Sequence, residues 1–126
     1  AAYLTSTRKK PEEAAYDLFL LGWAPSTGDA DWGLRPMFHS SQWMPQGNSR
    51  LYYKNADVDK YLEEGMRTAD PQKRMEAYKK AQELLVEDAP WIMLHDMVQS
   101  VGVAASLENI TVWPIEIVLV KDAYFK

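Results

Sequence analysis

The sequence contains no cysteine, which excludes disulfides, thiolate zinc sites and cysteine nucleophiles. That absence leaves the compartment open, because reduced cytoplasmic proteins and many exported bacterial proteins both manage without cysteine. His39 and His95 are the only histidines, and neither has a second His or a Glu at helix-ligand spacing, so no metal is expected. Basic residues are outnumbered 14 to 18, and the resulting net charge of -4 gives no cationic field to gather phosphate backbones. Nucleic acid is therefore not an expected partner. No apolar run approaches the length of a membrane span, and no charged-then-apolar leader opens the chain. Internal repeats and low-complexity tracts are also missing. Gly22, Gly28 and Gly33 match neither Walker nor dinucleotide spacing, so no phosphate-bearing cofactor is expected.

What is present is an apolar chain rich in aromatics. With 126 residues and 47% hydrophobic content it can form one modest domain with a real core. Five Trp and seven Tyr are a large share, and Trp23, Trp43, Tyr52 and Tyr53 fall in predicted loops, where a core role is less automatic. The run from Tyr16 to Leu21 reads as a strand buried on both faces of a parallel or mixed sheet. Gly22-Trp23 follows it, then a turn through Ser26, Thr27, Gly28 and Asp29 to Asp31 and Trp32. Ligands of open α/β sheets gather at the carboxyl ends of such strands. Trp23 offers a flat apolar wall, while Ser26, Thr27, Asp29 and Asp31 offer hydroxyls and carboxylates to a polar or cationic partner. A second reading of the same residues is equally physical: Gly28 makes the turn, and Asp29 or Asp31 caps the helix beginning near Trp32.

Further along, a helix is predicted from Asp31 to Phe38, followed by a long loop from His39 to Arg50. Its Trp43 and Met44 mark it as a lid candidate. Asn55 or Asp57 caps a helix burying Val58, Tyr61, Leu62 and Met66. Asp70-Pro71 opens another, with Met75, Tyr78, Ala81, Gln82, Leu84 and Leu85 as its buried stripe and Ala89-Pro90 as its end. Lys73, Arg74, Lys79 and Lys80 are expected to face water. Trp91 to Leu94 and Gln99 to Ala104 read as strands, with Trp91 in the core, and Ile110 to Trp113 and Ile117 to Val120 as shorter extended pieces. Catalytic assemblies fare poorly on these residues. No nucleophile elbow surrounds Ser26 to support a Ser26-His95-Asp96 triad, and two aspartates in one turn suit capping better than flanking a scissile bond.

The ordered set Gly22-Trp23, Asp29-Ala30-Asp31-Trp32, Tyr52-Tyr53-Lys54-Asn55, Asp70-Pro71-Gln72-Lys73-Arg74, Tyr78 to Gln82 and Asp88-Ala89-Pro90-Trp91-Ile92 resembles the C-terminal part of bacterial extracellular solute-binding proteins. The similarity is to the dipeptide, oligopeptide and nickel group that serves ABC importers, and it covers almost the whole chain. Ser26 to Trp32 and the Trp43 loop look most like the glutathione-binding branch. The resemblance implies an α/β fold, a C-terminal lobe segment of a periplasmic-binding-protein-like (type II) two-lobed molecule with a mixed sheet and flanking helices. Residues 1–106 would belong to the ligand-binding lobe, and 107–126 would form a tail returning toward the first lobe.

It further implies a non-enzymatic capture module for a small peptide, working outside the cytoplasmic membrane with permease subunits as partners. Dipeptides, oligopeptides and nickel chelates are the alternative ligands, and a regulatory sensor or a hydrolase the alternative classes. Ala1 to Leu4 reads like a helix already under way, as in a chain cut from a longer one, and the apolar tail invites a dimer of such a fragment. Candidate ligand contacts are Trp23, Ser26, Thr27, Asp29, Asp31, Trp32, Trp43 and Arg35, the last as a partner for a ligand carboxylate. One departure bears on ligand identity. Where peptide-binding relatives carry an aspartate for the peptide ammonium, this chain carries Ser26, whose neutral hydroxyl cannot replace the charge.

Overall fold

The computed structural model describes residues 2–126. Its core is made by three helices. A short helix α1 (Ala2–Ser6) and a 3-10 turn (Pro11–Glu13) precede them, and α2 spans Ala30–Phe38, α3 Ala56–Arg67 and α4 Pro71–Asp88. Each of the three begins where a side chain satisfies the otherwise orphaned N–H groups of a first turn. The Asp29 carboxylate accepts from the Asp31 amide, Asn55 from those of Asp57 and Val58, and Asp70 from those of Gln72 and Lys73. Pro71 occupies the first position of α4, where a missing N–H costs nothing. At the other end, Ala89 takes the left-handed conformation, with φ 47 and ψ 48, and its N–H closes the last turn onto Leu85.

α3 and α4 form an antiparallel hairpin, and α2 packs across α3. Val58 and Leu62 from α3, Tyr78, Ala81 and Leu85 from α4, and Met37 and Phe38 from α2 form one buried cluster, with Trp23, Leu51, Tyr53 and Trp91 against its rim. Burying an aliphatic side chain of this size stabilises by about 1.5 to 3 kcal/mol, so Val58 and Leu62, both fully buried, are its anchors. The helices approach closely because Gly65 has no side chain: a Cβ there would come within 2.6 Å of the Tyr78 ring. Met66, Met75 and Gln82, expected in the buried stripes, are exposed instead. Gly65 and Ala77 take their places. The small residues let the two backbones meet, which the large thioethers would prevent.

Beyond residue 106 the chain forms β1 (Leu107–Glu108), β2 (Thr111–Trp113), β3 (Ile117–Leu119) and β4 (Tyr124–Phe125). β1 pairs with β4, and β2 pairs with β3 in register Thr111 to Leu119, both antiparallel. Helices with small antiparallel sheets are compatible with part of a lobe of the expected two-lobed α/β fold.

Three segments differ from the strand expectation. Residues 16–23, 91–94 and 99–104 hold no regular secondary structure and enter no ladder among the described residues. A run that is apolar on both faces needs neighbours on both edges and cover on both sides, and here Leu18, Leu20, Ile92, Met93 and Val103 remain exposed. Trp91 lies outside any strand but still reaches the core, its ring 4.8 Å from that of Phe38. No helix among the described residues is long and apolar enough to cross a membrane.

Candidate ligand-binding site

The glycine turn is built as its residue types dictate. Gly28 adopts φ 67, which a side chain would strain, and its N–H closes a turn onto the Pro25 carbonyl at 2.8 Å. The Thr27 hydroxyl accepts from the Asp29 amide at 3.2 Å, and Ser26 is exposed. Trp23 is half-buried; its indole Nε1 donates to the Trp32 carbonyl at 3.2 Å, and the two rings sit 5.9 Å apart. One face of Trp23 is thus fixed to α2.

Both acids of the turn have partners. Asp29 Oδ1 accepts from the Asp31 amide at 2.8 Å and also meets the Arg74 guanidinium, which reaches across from α4 while donating to the Gly65 carbonyl. Asp31 is gripped by Arg35 one turn later through Nε and Nη2, at 2.9 to 3.1 Å. That carboxylate raises the Arg35 guanidinium above its ordinary value, against the opposing effect of burial. The Tyr78 hydroxyl donates to Asp31 Oδ1 at 3.4 Å. Burial, with the Asp31 charge next, pushes Tyr78 up to about 12. Five residues therefore tie the start of α2 to the middle of α4, with two carboxylates balanced by two guanidiniums. Asp29 is the more open acid, its side chain 46% exposed against 17% for Asp31. Among the described residues only Oδ1 of Asp29 is engaged, whereas both oxygens of Asp31 are held.

Of the eight predicted contacts, the structure pairs Trp23 with Trp32 and links Asp29, Asp31 and Arg35 at the start of α2, with Ser26 and Thr27 on the exposed turn before it. Trp43 stands apart from them, donating to the Tyr53 carbonyl at 2.8 Å and packing edge-on against Tyr52. The loop carrying Trp43 is pinned down rather than free, since Ser49, fully buried, donates to the Met37 carbonyl at 2.6 Å. Asp59 accepts from the Ser40 amide and hydroxyl, and His39 lies 3.4 Å from Glu63. Among the described residues no group of three or more His, Asp or Glu is placed to hold a metal ion.

Two hollows flank the Gly22-Trp23 segment. One, of about 640 Å³, is bounded by Trp23, His95, Asp96, Trp113 and Glu116. The other, of about 600 Å³, is bounded by Tyr16, Phe19, Arg50, Tyr52 and Trp91. Tyr16 donates to the Arg50 carbonyl and the Tyr52 hydroxyl, and Tyr52 donates to the Lys9 carbonyl. Tyr52 holds φ 51, a strained conformation for a bulky aromatic and one that collects at functional sites. The sequence singled out Trp23 and the acidic turn but missed Arg74 and Tyr78 as partners of Asp29 and Asp31, and Asp96 and Trp113 as neighbours of Trp23 around its hollow. Periodicity places Arg74 on a solvated face; only the bend of the turn toward α4 reveals its partner.

Over 86 residues, 68% of its length, the chain is 40% identical to the glutathione-binding protein GsiB of Salmonella typhimurium. Against GsiB of Escherichia coli K12 the identity over the same length is 38%. The chain is a relative of bacterial solute-binding proteins. It spans 17% of the length of these solute-binding relatives, about a sixth. No protein-family model matches the chain.

Proposed function

We propose that this chain is a C-terminal-lobe segment of the solute-binding component of an ABC importer, and that the whole protein captures a small peptide of glutathione type. The observation that carries the reading is the 38 to 40% identity to proteins named for binding glutathione. The protein works outside the cytoplasmic membrane, hands its ligand to permease subunits, and catalyses no reaction. Residues 1–106 contribute to the ligand lobe and 107–126 form the returning tail.

Trp23 forms an apolar wall of the ligand cleft, beside a hollow whose size falls within the range of small-ligand sites. Ser26 and Thr27 supply hydroxyls at its edge, Trp32 supports the cleft from behind, and Trp43 acts at a distance from it, backing Tyr52 at the other hollow. Asp29 takes the ligand's ammonium on its open Oδ2, the role that Ser26 cannot fill. Asp31 and Arg35 are spent on each other, so they hold the turn rather than the ligand.

Calorimetry on the full-length protein carrying this chain tests the reading, with glutathione, an α-linked dipeptide and a nickel salt as separate titrants. Glutathione is expected to give saturable heat. Replacing Asp29 with Asn keeps the helix cap but removes the charge, weakening binding about tenfold, the difference between a charged and a neutral hydrogen bond. Silence toward glutathione together with dipeptide heat overturns the assignment.

A further inference from the structure

The loop that follows α2 starts on two hydrogen bonds, and both end on groups around one buried imidazole. The Ser40 amide donates to Asp59 Oδ1 at 2.9 Å, and the Ser41 amide donates to His39 Nδ1 at 3.1 Å, which caps the 3-10 turn Ser40–Gln42. An amide N–H only donates, so Nδ1 is the bare nitrogen, and the proton of the neutral ring sits on Nε2, 3.4 Å from Glu63 Oε1. The oxygen that receives the Ser40 amide, Asp59 Oδ1, also lies 3.8 Å from Nδ1. Two acids of α3, Asp59 and Glu63, therefore face the ring, as does the carboxyl end of α2, whose Arg35 carbonyl accepts from the His39 amide. All three favour a positive charge there. Arg67 holds the other oxygen of Glu63 at 2.8 Å and partly offsets that acid, and the Arg35 guanidinium is turned to Asp31. The Ser41 hydroxyl, 2.9 Å from Nδ1, donates or accepts as required and opposes neither form of the ring.

We infer that His39 is a proton switch on this loop: the protonated ring stays anchored to α3 and releases the turn that leads to Trp43. A proton on Nδ1 converts the cap's acceptor into a donor facing the Ser41 N–H, so that bond is lost. The new N–H also competes with the Ser40 amide for Asp59 Oδ1, so one event strikes both bonds that start the loop. On the α3 side the carboxylates compensate the ring, while the freed loop amides turn to water. Bonds further along, from the Met44 amide to the Ser49 carbonyl and from the Ser49 hydroxyl to the Met37 carbonyl, do not involve His39 and keep the rest of the loop in place. The release is therefore local to 40–43 and carries with it the Trp43 ring, which packs on Tyr52 at the edge of the first hollow. Histidine changes charge between about pH 5 and 8, so the turn is closed at the alkaline end of that range and opens as pH falls. The inference concerns the loop alone and holds whichever ligand the protein takes.

Hydrogen exchange at single-amide resolution on the ligand-free full-length protein tests it, compared as protection factors at about pH 7.5 and about pH 5.5 so that the intrinsic pH dependence of exchange drops out. Protection of the Ser40 and Ser41 amides should fall at least about tenfold at the lower pH, with α3 and α4 unchanged. In His39→Asn the side-chain oxygen replaces Nδ1 as the cap and accepts at either pH, so the turn should stay protected at both. His39→Ala offers no acceptor, and the turn should be open at both. Equal protection of Ser40 and Ser41 at the two pH values in the unsubstituted protein overturns the proposal, whatever the variants do. So does a pH response that survives in His39→Asn, which assigns it to another group, or a loss of protection that spreads through α3, which makes it general unfolding by acid.

Discussion

Gly65 and Asp29 show how single positions divide packing from recognition. A methyl at Gly65 meets the Tyr78 ring, itself fixed between Arg74, whose guanidinium lies 5.0 Å from the ring centre, and Asp31. The ring cannot yield without loosening that network. Gly65→Ala is therefore expected to destabilise by about 1 to 3 kcal/mol, as overpacking does, despite the better helix propensity of Ala, and urea unfolding measures it. Asp29→Ala removes a cap and an ion pair and should cost about 1 kcal/mol, whereas Asp29→Asn retains most of the cap.

Tyr78 adds a pH dependence whose sign is fixed. Its folded value, pushed up to about 12, exceeds that of an unfolded tyrosine near 10, so its contribution is complete below pH ~10 and disappears as pH rises toward 12. Burial also raises Tyr16 and Tyr53, so tyrosinate absorbance should show several late-titrating groups, of which Tyr78→Phe removes one. Asp88 behaves in the opposite sense, because hydrogen bonds from Tyr53 and then Asn55 hold its carboxyl below the ordinary range. Its contribution is present above the ordinary carboxylate range and is lost as pH falls through the lowered value.

At the scale of elements, what was legible in the sequence is what a short window decides. Asp29, Asn55 and Asp70 cap their helices because capping depends on a side chain and the amides two or three residues on. The Asp70-Pro71 start and the end at Ala89 were equally readable. Tyr16 to Trp23 was not, since an apolar run specifies willingness to be buried, and a strand exists only where another strand supplies its ladder. The site divides along the same line. Trp23 and the acidic turn were visible by type, but the guanidinium that meets Asp29 lies 45 residues away and no local pattern points to it. The C-terminus of α4 supports a prediction of its own. Ala89 holds a left-handed conformation that glycine adopts without strain, so Ala89→Gly should stabilise the chain by about 0.5 to 1 kcal/mol, read as a shift of the urea midpoint. A loss instead would mean that the Ala89 methyl packs more favourably than its backbone is strained.

For the whole molecule the decisive question is where the helical unit ends. The core cluster draws its buried residues from α2, α3 and α4, and none of them lies beyond Leu85. β1 bonds to β4 and β2 to β3, and Val112, Trp113, Ile117 and Val118 stay partly exposed and Phe125 largely so. The tail is held to the rest by thinner links, such as the Gln99 amide donating to the Pro114 carbonyl at 3.3 Å. Two-stranded ribbons are marginal by themselves, so what orders them must be either these links or surface outside the chain. If the boundary lies at 106, deleting 107–126 should move the unfolding free energy of the helical unit by less than about 1 kcal/mol, the range of changes remote from a core. Leu62→Ala in the same background should cost about 2 to 5 kcal/mol, because it empties the centre of the cluster. Urea unfolding followed by helical circular dichroism compares the two directly. A deletion as costly as Leu62→Ala would place the tail inside the core and erase the boundary, whereas a small effect leaves the apolar tail outside the helical core.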